Sequence, residues 1–164
     1  MPKKNRLTTP LFILLATLLS IGYGFGVQGQ ALPFTTEMDF SAIQLQFLRG
    51  WLILAWITGI LLPIILLIQA RKQAQSRAFW GVYLAVLFIQ IFSEGFLRRW
   101  LVPSVVVPIG FFYSAFRLWQ LFDAFGRLTL TRFTKLAFRI VALFWAANLV
   151  MLSVLSFPTI FKGF

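Results

Sequence analysis

This sequence predicts an all-α fold, a small bundle of about five transmembrane helices in a single integral membrane domain over residues 1–164. Three observations carry that expectation. The stretch Gly50 to Ala70, GWLILAWITGILLPIILLIQA, contains no ionisable residue, and at least two further runs are nearly as apolar. The chain is 60% hydrophobic and 12% charged, against about 45–50% and about 25% for a soluble domain. The Lys and Arg residues gather beside the apolar runs, as cytoplasmic flanks of membrane helices do. A helix rises about 1.5 Å per residue, so about 20 residues cross the hydrocarbon layer with every backbone hydrogen bond made inside the segment.

The first apolar segment, 11–27, follows Lys3, Lys4 and Arg6. It is near the lower length limit for a span, and its basic start and apolar middle also resemble a secretory signal. Val27 with Gly29, or Gly29 with Ala31, would meet a small-residue cleavage rule, so a cleaved first helix is the alternative to a retained one. The loop that follows is too short for a separate domain. Pro33 and the Thr35, Thr36, Glu37 group read as a turn, and Asp39 or Ser41 is placed to cap a helix beginning at FSAIQLQFLRG. That fragment either lies at the membrane surface or forms the first turns of an overlong second helix.

The second span is 50–70 and the third is 78–97, separated by Arg71, Lys72 and Arg77. The fourth is 102–122. Pro103 suits a first helical turn, whereas Pro108 predicts a kink or a helix that starts late. A four-span chain with a re-entrant or irregular segment near 98–110 is therefore the competing count. The fifth span is 138–157, after Arg127, Arg132, Lys135 and Arg139. Threading five spans from an inside N-terminus places three basic clusters inside, and leaves Arg49, Arg98, Arg99 and Lys162 outside or interfacial. The expected topology has a cytoplasmic N-terminus and an outside C-terminus, in a prokaryotic plasma membrane or, alternatively, a thylakoid membrane.

Residue usage removes whole classes of chemistry. The chain has no Cys and no His, so it has no disulfide, thiolate nucleophile or imidazole base, and lacks the commonest zinc and haem ligands. No Walker loop, dinucleotide fingerprint, serine elbow or repeat is present. No catalytic residue, metal site or cofactor is expected. A net charge of +11 reads as topology and contact with anionic lipid headgroups rather than nucleic-acid binding.

Five polar side chains are the candidate polar or partner contacts. Glu94 is the one acidic residue within the confidently drawn spans, about a turn from the outer end, with Arg98 at i+4 in the favourable order for an ion pair. Gln90 lies a turn deeper on the same face. Asn148, in the middle of the last span, must face protein because an unpaired amide is costly in hydrocarbon. Arg117 stands close enough to the inner end of its predicted span to snorkel to lipid phosphates, and Asp123 with Arg127 forms a second i,i+4 pair beyond it. Gly22 and Gly26 form a G-x-x-x-G pattern suited to helix packing. Trp51, Trp80, Trp100 and Trp119 fall near span ends, where indoles favour the headgroup layer.

The leading functional expectation is an accessory, assembly or scaffold subunit without its own catalytic chemistry, associating with other membrane subunits or with itself. A small transporter or channel with a polar path near Gln90, Glu94, Asn148 and Arg117 is the alternative. It requires those side chains to converge on a cavity. A lipid-modifying enzyme is a third reading, weakened by the expected placement of Glu94 and Asp123 toward opposite membrane faces.

Overall fold

The computed structural model describes residues 8–161, and in it five helices are long and apolar enough to cross a membrane. They are α1 (Thr8–Gln28), α2 (Ala42–Lys72), α3 (Ala74–Trp100), α4 (Pro103–Arg127) and α5 (Arg132–Ile160). The basic residues Lys3, Lys4 and Arg6, and Lys162 at the other terminus, lie outside the described residues. All five spans are longer than expected, because polar and basic residues extend apolar helices past the hydrocarbon limits.

The largest extension is in α2. The FSAIQLQFLRG fragment is the start of the same helix rather than a separate surface element. Ser41 caps it, accepting from the Gln44 N–H at 3.3 Å, while the Gln44 side chain accepts from the Ser41 N–H at 2.8 Å. This reciprocal box satisfies two otherwise orphaned donors at the helix start. Thr131 caps α5 by its side chain alone, accepting from the Thr134 N–H at 3.2 Å.

Two stretches widen into π-helix, Trp56–Leu61 in α2 and Leu152–Ser156 in α5. Each ends two residues before a proline, Pro63 or Pro158. Proline has no N–H and its ring crowds the carbonyl four residues back, so the preceding turn opens. In the opened turns the bonds reach back one residue farther than in an α-helix, from Leu62 N–H to the Ile57 carbonyl and from Phe157 N–H to the Leu152 carbonyl. Pro108 is milder. A 3-10 turn at Pro103–Val105 leads into an α-helix from Val106, so Pro108 lies in a first turn where its missing N–H has no partner to lose. The region 98–110 is thus a tight turn and a late helix start, with no re-entrant segment.

The hairpin of α3 and α4 is the axis of the bundle, and α4 is the most buried helix. One apolar core, with Leu66, Trp80, Tyr83, Leu121, Phe138 and Trp145, joins α2 and α5 to this axis. A second, with Ala16, Val27, Val86, Ile109, Tyr113 and Phe116, joins α1 to its other side. There Phe12 stacks on Phe116 with ring centres 3.9 Å apart, so the first helix is packed into the bundle. Trp80 is fully buried against Phe138 and does not sit at the interface. Its position near a span end is outweighed by a helix face that turns it into the first core.

The loop between α1 and α2 crosses one end of the bundle as a strap. Thr35 N–H donates to the Ile160 carbonyl at 2.7 Å, Ser104 N–H donates to the Thr36 carbonyl at 2.9 Å, and Phe34 forms a bridge with Phe161. The opposite end carries the short turns after α2 and α4 and the exposed Arg71, Lys72, Arg77, Arg127, Arg132 and Lys135. Asp123 and Arg127 make the expected i,i+4 ion pair at this basic end.

Helix α2 is asymmetric. Its half nearer the basic end buries Thr58, Gly59, Pro63 and Leu66, whereas Ala42–Ala55 buries no residue. The first half of α2 therefore stands off from the bundle and leaves a cleft.

The small residues of α1 pack differently from the G-x-x-x-G expectation. Gly22 faces open space, and a Cβ on Gly26 would meet Leu32 of the following loop rather than another helix. The buried stripe is Ala16, Ser20, Gly24. Gly24 is about 200° around the helix from Gly22, and Leu101 fills the space a side chain there would need. Gly24→Val should therefore destabilise the protein by about 1–3 kcal/mol through overpacking, and Gly22→Val should be nearly neutral. Thermal unfolding followed by detergent gel filtration checks the pair; equal loss in both variants would contradict this placement of α1.

Candidate functional site

Four of the five polar candidates meet at the centre of the bundle. On α3, Tyr83, Leu87, Gln90 and Glu94 fall on one helical face; on α4, Gly110, Ser114 and Arg117 do; on α5, Trp145, Asn148 and Leu152 do. These faces converge because each carries the polar or small residues that its helix keeps away from lipid.

Arg117 is completely buried. Its guanidinium is enclosed by Tyr83, Trp145 and Gln90 and has no exposed path along the helix to a headgroup, so the snorkelling expectation is incorrect. That expectation considered α4 alone; the buried face of the helix turns Arg117 toward α3 and α5. Its guanidinium lies 4.4 Å from the ring centre of Trp145 and 5.7 Å from that of Tyr83. Each such contact contributes about 0.5–2 kcal/mol, more when dry. Trp145 is held in place by donating its indole N–H to the Tyr83 hydroxyl at 2.6 Å. Tyr83 in turn donates a long hydrogen bond, 3.5 Å, to the carbonyl of Gly59, the group that Pro63 leaves without its α-helical donor.

One Arg117 N–H donates to Gln90 Oε1, and Gln90 Nε2 donates to Glu94 Oε1 at 2.5 Å. A guanidinium can only donate and a carboxylate can only accept, so the amide between them has one workable orientation. The result is a relay from a buried cation through an amide to a carboxylate. Arg117 Nε and Nη2 have no hydrogen-bond partner, and neither has the Gln120 Oε1 nearby in sequence on α4.

Glu94 does not pair with Arg98: among the described residues no ion pair joins them, and Arg98 is exposed. The i,i+4 rule describes an isolated helix. Here the Gln90 amide and the buried guanidinium behind it draw the carboxylate inward.

Asn148 faces protein, as its cost in hydrocarbon requires. It donates from Nδ2 to Ser114 Oγ at 2.8 Å and accepts at Oδ1 from the Trp51 indole N–H at 2.7 Å. Ser114 donates its own hydroxyl hydrogen bond to the Gly110 carbonyl at 2.7 Å. Trp51 is thus a tether from the free half of α2 to α5, and not an interfacial anchor.

Gln90, Glu94, Arg98, Asn148 and Trp145 all line one cavity of about 510 Å³. Leu48, Trp51, Leu52, Ala55 and Trp56 of α2 form its opposite wall. Leu52 and Trp56 on α2 and Ile91 on α3 are exposed, so the cavity opens sideways between α2 and α3, along helix faces that meet lipid. Toward the basic end the aromatic core of Trp80, Tyr83, Phe138 and Trp145 closes it. Both π-helical stretches contribute lining residues, Trp56 and Ile60 from one and Leu152 and Ser156 from the other. A mainly apolar pocket with a few convergent polar groups is the usual form of a small-molecule site. No group of His, Cys, Asp or Glu able to hold a metal occurs among the described residues.

Sequence reasoning missed Tyr83, Trp145, Ser114 and Gly59. Tyr83 was detectable, since it shares a helical face with Gln90 and Glu94. Gly59 was not, because its role is to admit the Trp145 ring, which would come within 3.2 Å of a Cβ there.

In a thermal-stability cycle, Gln90→Leu and Arg117→Met should couple by about 1–3 kcal/mol, as members of one buried network. In detergent stripped of lipid, Glu94→Gln and Arg98→Gln should couple by no more than about 0.5 kcal/mol, because neither engages the other; strong coupling there would restore the ion pair. No known protein family model matches this chain, and neither a curated protein nor a solved structure shows significant similarity to it.

Proposed function

We propose that the protein is a small membrane transporter or carrier that takes an amphipathic molecule sideways from the bilayer into the cavity between α2 and α3. A single observation carries this reading: Gln90, Glu94 and Asn148 line one cavity, with the buried guanidinium of Arg117 behind Gln90. An accessory or scaffold subunit has no need of that convergence, and a polar path does. A lipid-modifying enzyme lacks support at the same place, because Asp123 is engaged with Arg127 at the basic end while Glu94 lines the cavity. The cavity is open on one side and sealed toward the basic end, the form of one state of an alternating-access carrier. The widened turns at Trp56–Leu61 and Leu152–Ser156 are natural places for the free half of α2 to hinge.

The proposed setting is a prokaryotic plasma membrane, with the basic end cytoplasmic and the strap end outside. The exposed Arg and Lys residues at the basic end support this orientation through the positive-inside rule. Because the chain has no cysteine, single cysteines report cleanly. At Gln75 and Thr131 they should be shielded from an impermeant thiol reagent in intact cells, and at Thr36 labelled; the reverse pattern inverts the orientation. Gln75 serves better than its neighbour Ser76, which is buried.

The binding reading is tested by purifying the protein from its native membrane in mild detergent and identifying bound small molecules by mass spectrometry. An amphiphile should travel with the wild-type protein and fall at least about tenfold in Ala55→Trp, which fills the cavity wall. A constant protein partner with no bound small molecule would instead establish the accessory-subunit role.

A further inference from the structure

Glu94 and Arg98 stand about 6 Å apart along α3, in the order that ordinarily pairs, yet each leaves the other unengaged while both line the same cavity. Glu94 spends Oε1 on Gln90 and keeps its second oxygen for an acceptor role. Arg98, exposed at the cavity margin, offers the forked N–H donors that match a phosphate. A carboxylate and a guanidinium held apart, facing one space, are satisfied together by a ligand that itself carries a cation and an anion a short distance apart. Resting on the reading of the cavity as a binding site, we propose that its occupant is a zwitterionic phospholipid, with the headgroup ammonium on Glu94 and the phosphate on Arg98.

The shape of the cavity agrees with such an occupant. Its lateral opening lets the acyl chains stay in the bilayer along Leu52, Trp56 and Ile91, so about 510 Å³ has to admit the headgroup and only the first part of the chains. Arg98 is one turn nearer the strap end than Glu94, which puts the phosphate toward headgroup depth and turns only the ammonium inward. On the wall, the exposed Trp56 offers a face that attracts an ammonium group. An anionic lipid would satisfy Arg98 and leave the Glu94 carboxylate facing an ligand of its own sign, a repulsive element that selects against it. A purely apolar occupant would leave both charges unmet.

The test is native mass spectrometry of the full-length protein from mixed micelles with equimolar phosphatidylethanolamine and phosphatidylglycerol of identical chains. One phosphatidylethanolamine should be retained with about tenfold preference, and Glu94→Gln and Arg98→Gln should each lower its occupancy about tenfold, the value of one charge-assisted hydrogen bond. Arg98→Lys should keep part of it. Equal retention of the two lipids, preference for phosphatidylglycerol, or unchanged retention in both neutral variants overturns the proposal. If Glu94→Gln does not fold, the exposed Arg98→Gln carries the test alone. Ala55→Trp separates the two levels of inference. Loss of all retained lipid in that variant without charge-dependent selectivity removes the zwitterion and leaves the cavity, whereas retention equal to wild type removes both.

Discussion

A guanidinium enclosed in the middle of a membrane bundle dictates much of the structure around it. On insertion scales an arginine at mid-helix costs about 2.5–3.5 kcal/mol, and nothing on the lipid side of α4 can offset that. Arg117 therefore has to be met by protein, and four elements are arranged to meet it. The Trp145 and Tyr83 rings cover its faces, the Gln90 amide accepts from it, and the Glu94 carboxylate lies beyond as counter-charge. Each of these is secured by something further out. Trp145 is fixed by Tyr83, Tyr83 reaches the carbonyl released by Pro63, and the absence of a side chain at Gly59 lets the Trp145 ring approach. A proline in α2, which on its own reads as a defect in a membrane helix, thus supplies an acceptor to the aromatic enclosure of a cation on α4.

The same arrangement accounts for the asymmetry of α2. Its half nearer the basic end is drawn in by Tyr83, Trp145 and the first apolar core, while its other half buries no residue and is held at Trp51, by the hydrogen bond to Asn148 and the ring stacked on Phe144. In water an apolar helix so exposed would collapse onto the bundle. In lipid the exposed Leu and Ile side chains are already in an apolar solvent, and close packing alone must pay for closure. A cleft whose floor is polar and whose lips are apolar is the consequence, and it faces the phase from which an amphiphile would arrive.

How much of this could be read from the chain depends on the range of the physics involved. The five spans follow from runs of apolar residues that each act locally, and so does the capping of α2 at Ser41. The choice of Gln90, Glu94, Arg117 and Asn148 as the residues of interest also rested on a local argument, the cost of polar groups in hydrocarbon. Their partners did not. The Glu94 to Arg98 pairing and the snorkelling of Arg117 were inferred from neighbours along one helix. Both were displaced by contacts across helices, Arg117 of α4 acting on Glu94 through Gln90 and Trp145 reaching in from α5. The glycine pattern in α1 makes no helix contact within this chain for the same reason. A G-x-x-x-G spacing identifies a possible contact stripe, but only the rotation of the helix against its neighbours puts Gly24 against Leu101 and leaves Gly22 in the open.

By itself, then, the sequence determined that this protein is a bundle of membrane helices, where those helices run, and which side chains are too costly to face lipid. Hydrophobicity and backbone hydrogen bonding act within a segment, so they need no knowledge of the rest of the chain. Only the tertiary structure decided that Arg117, Gln90 and Glu94 share one relay, that Arg98 is left apart from it, and that the relay and Asn148 border a cavity open between α2 and α3. Those outcomes are set by helix rotation and by the small differences in close packing through which helices choose their neighbours in lipid, and neither is written in any one segment.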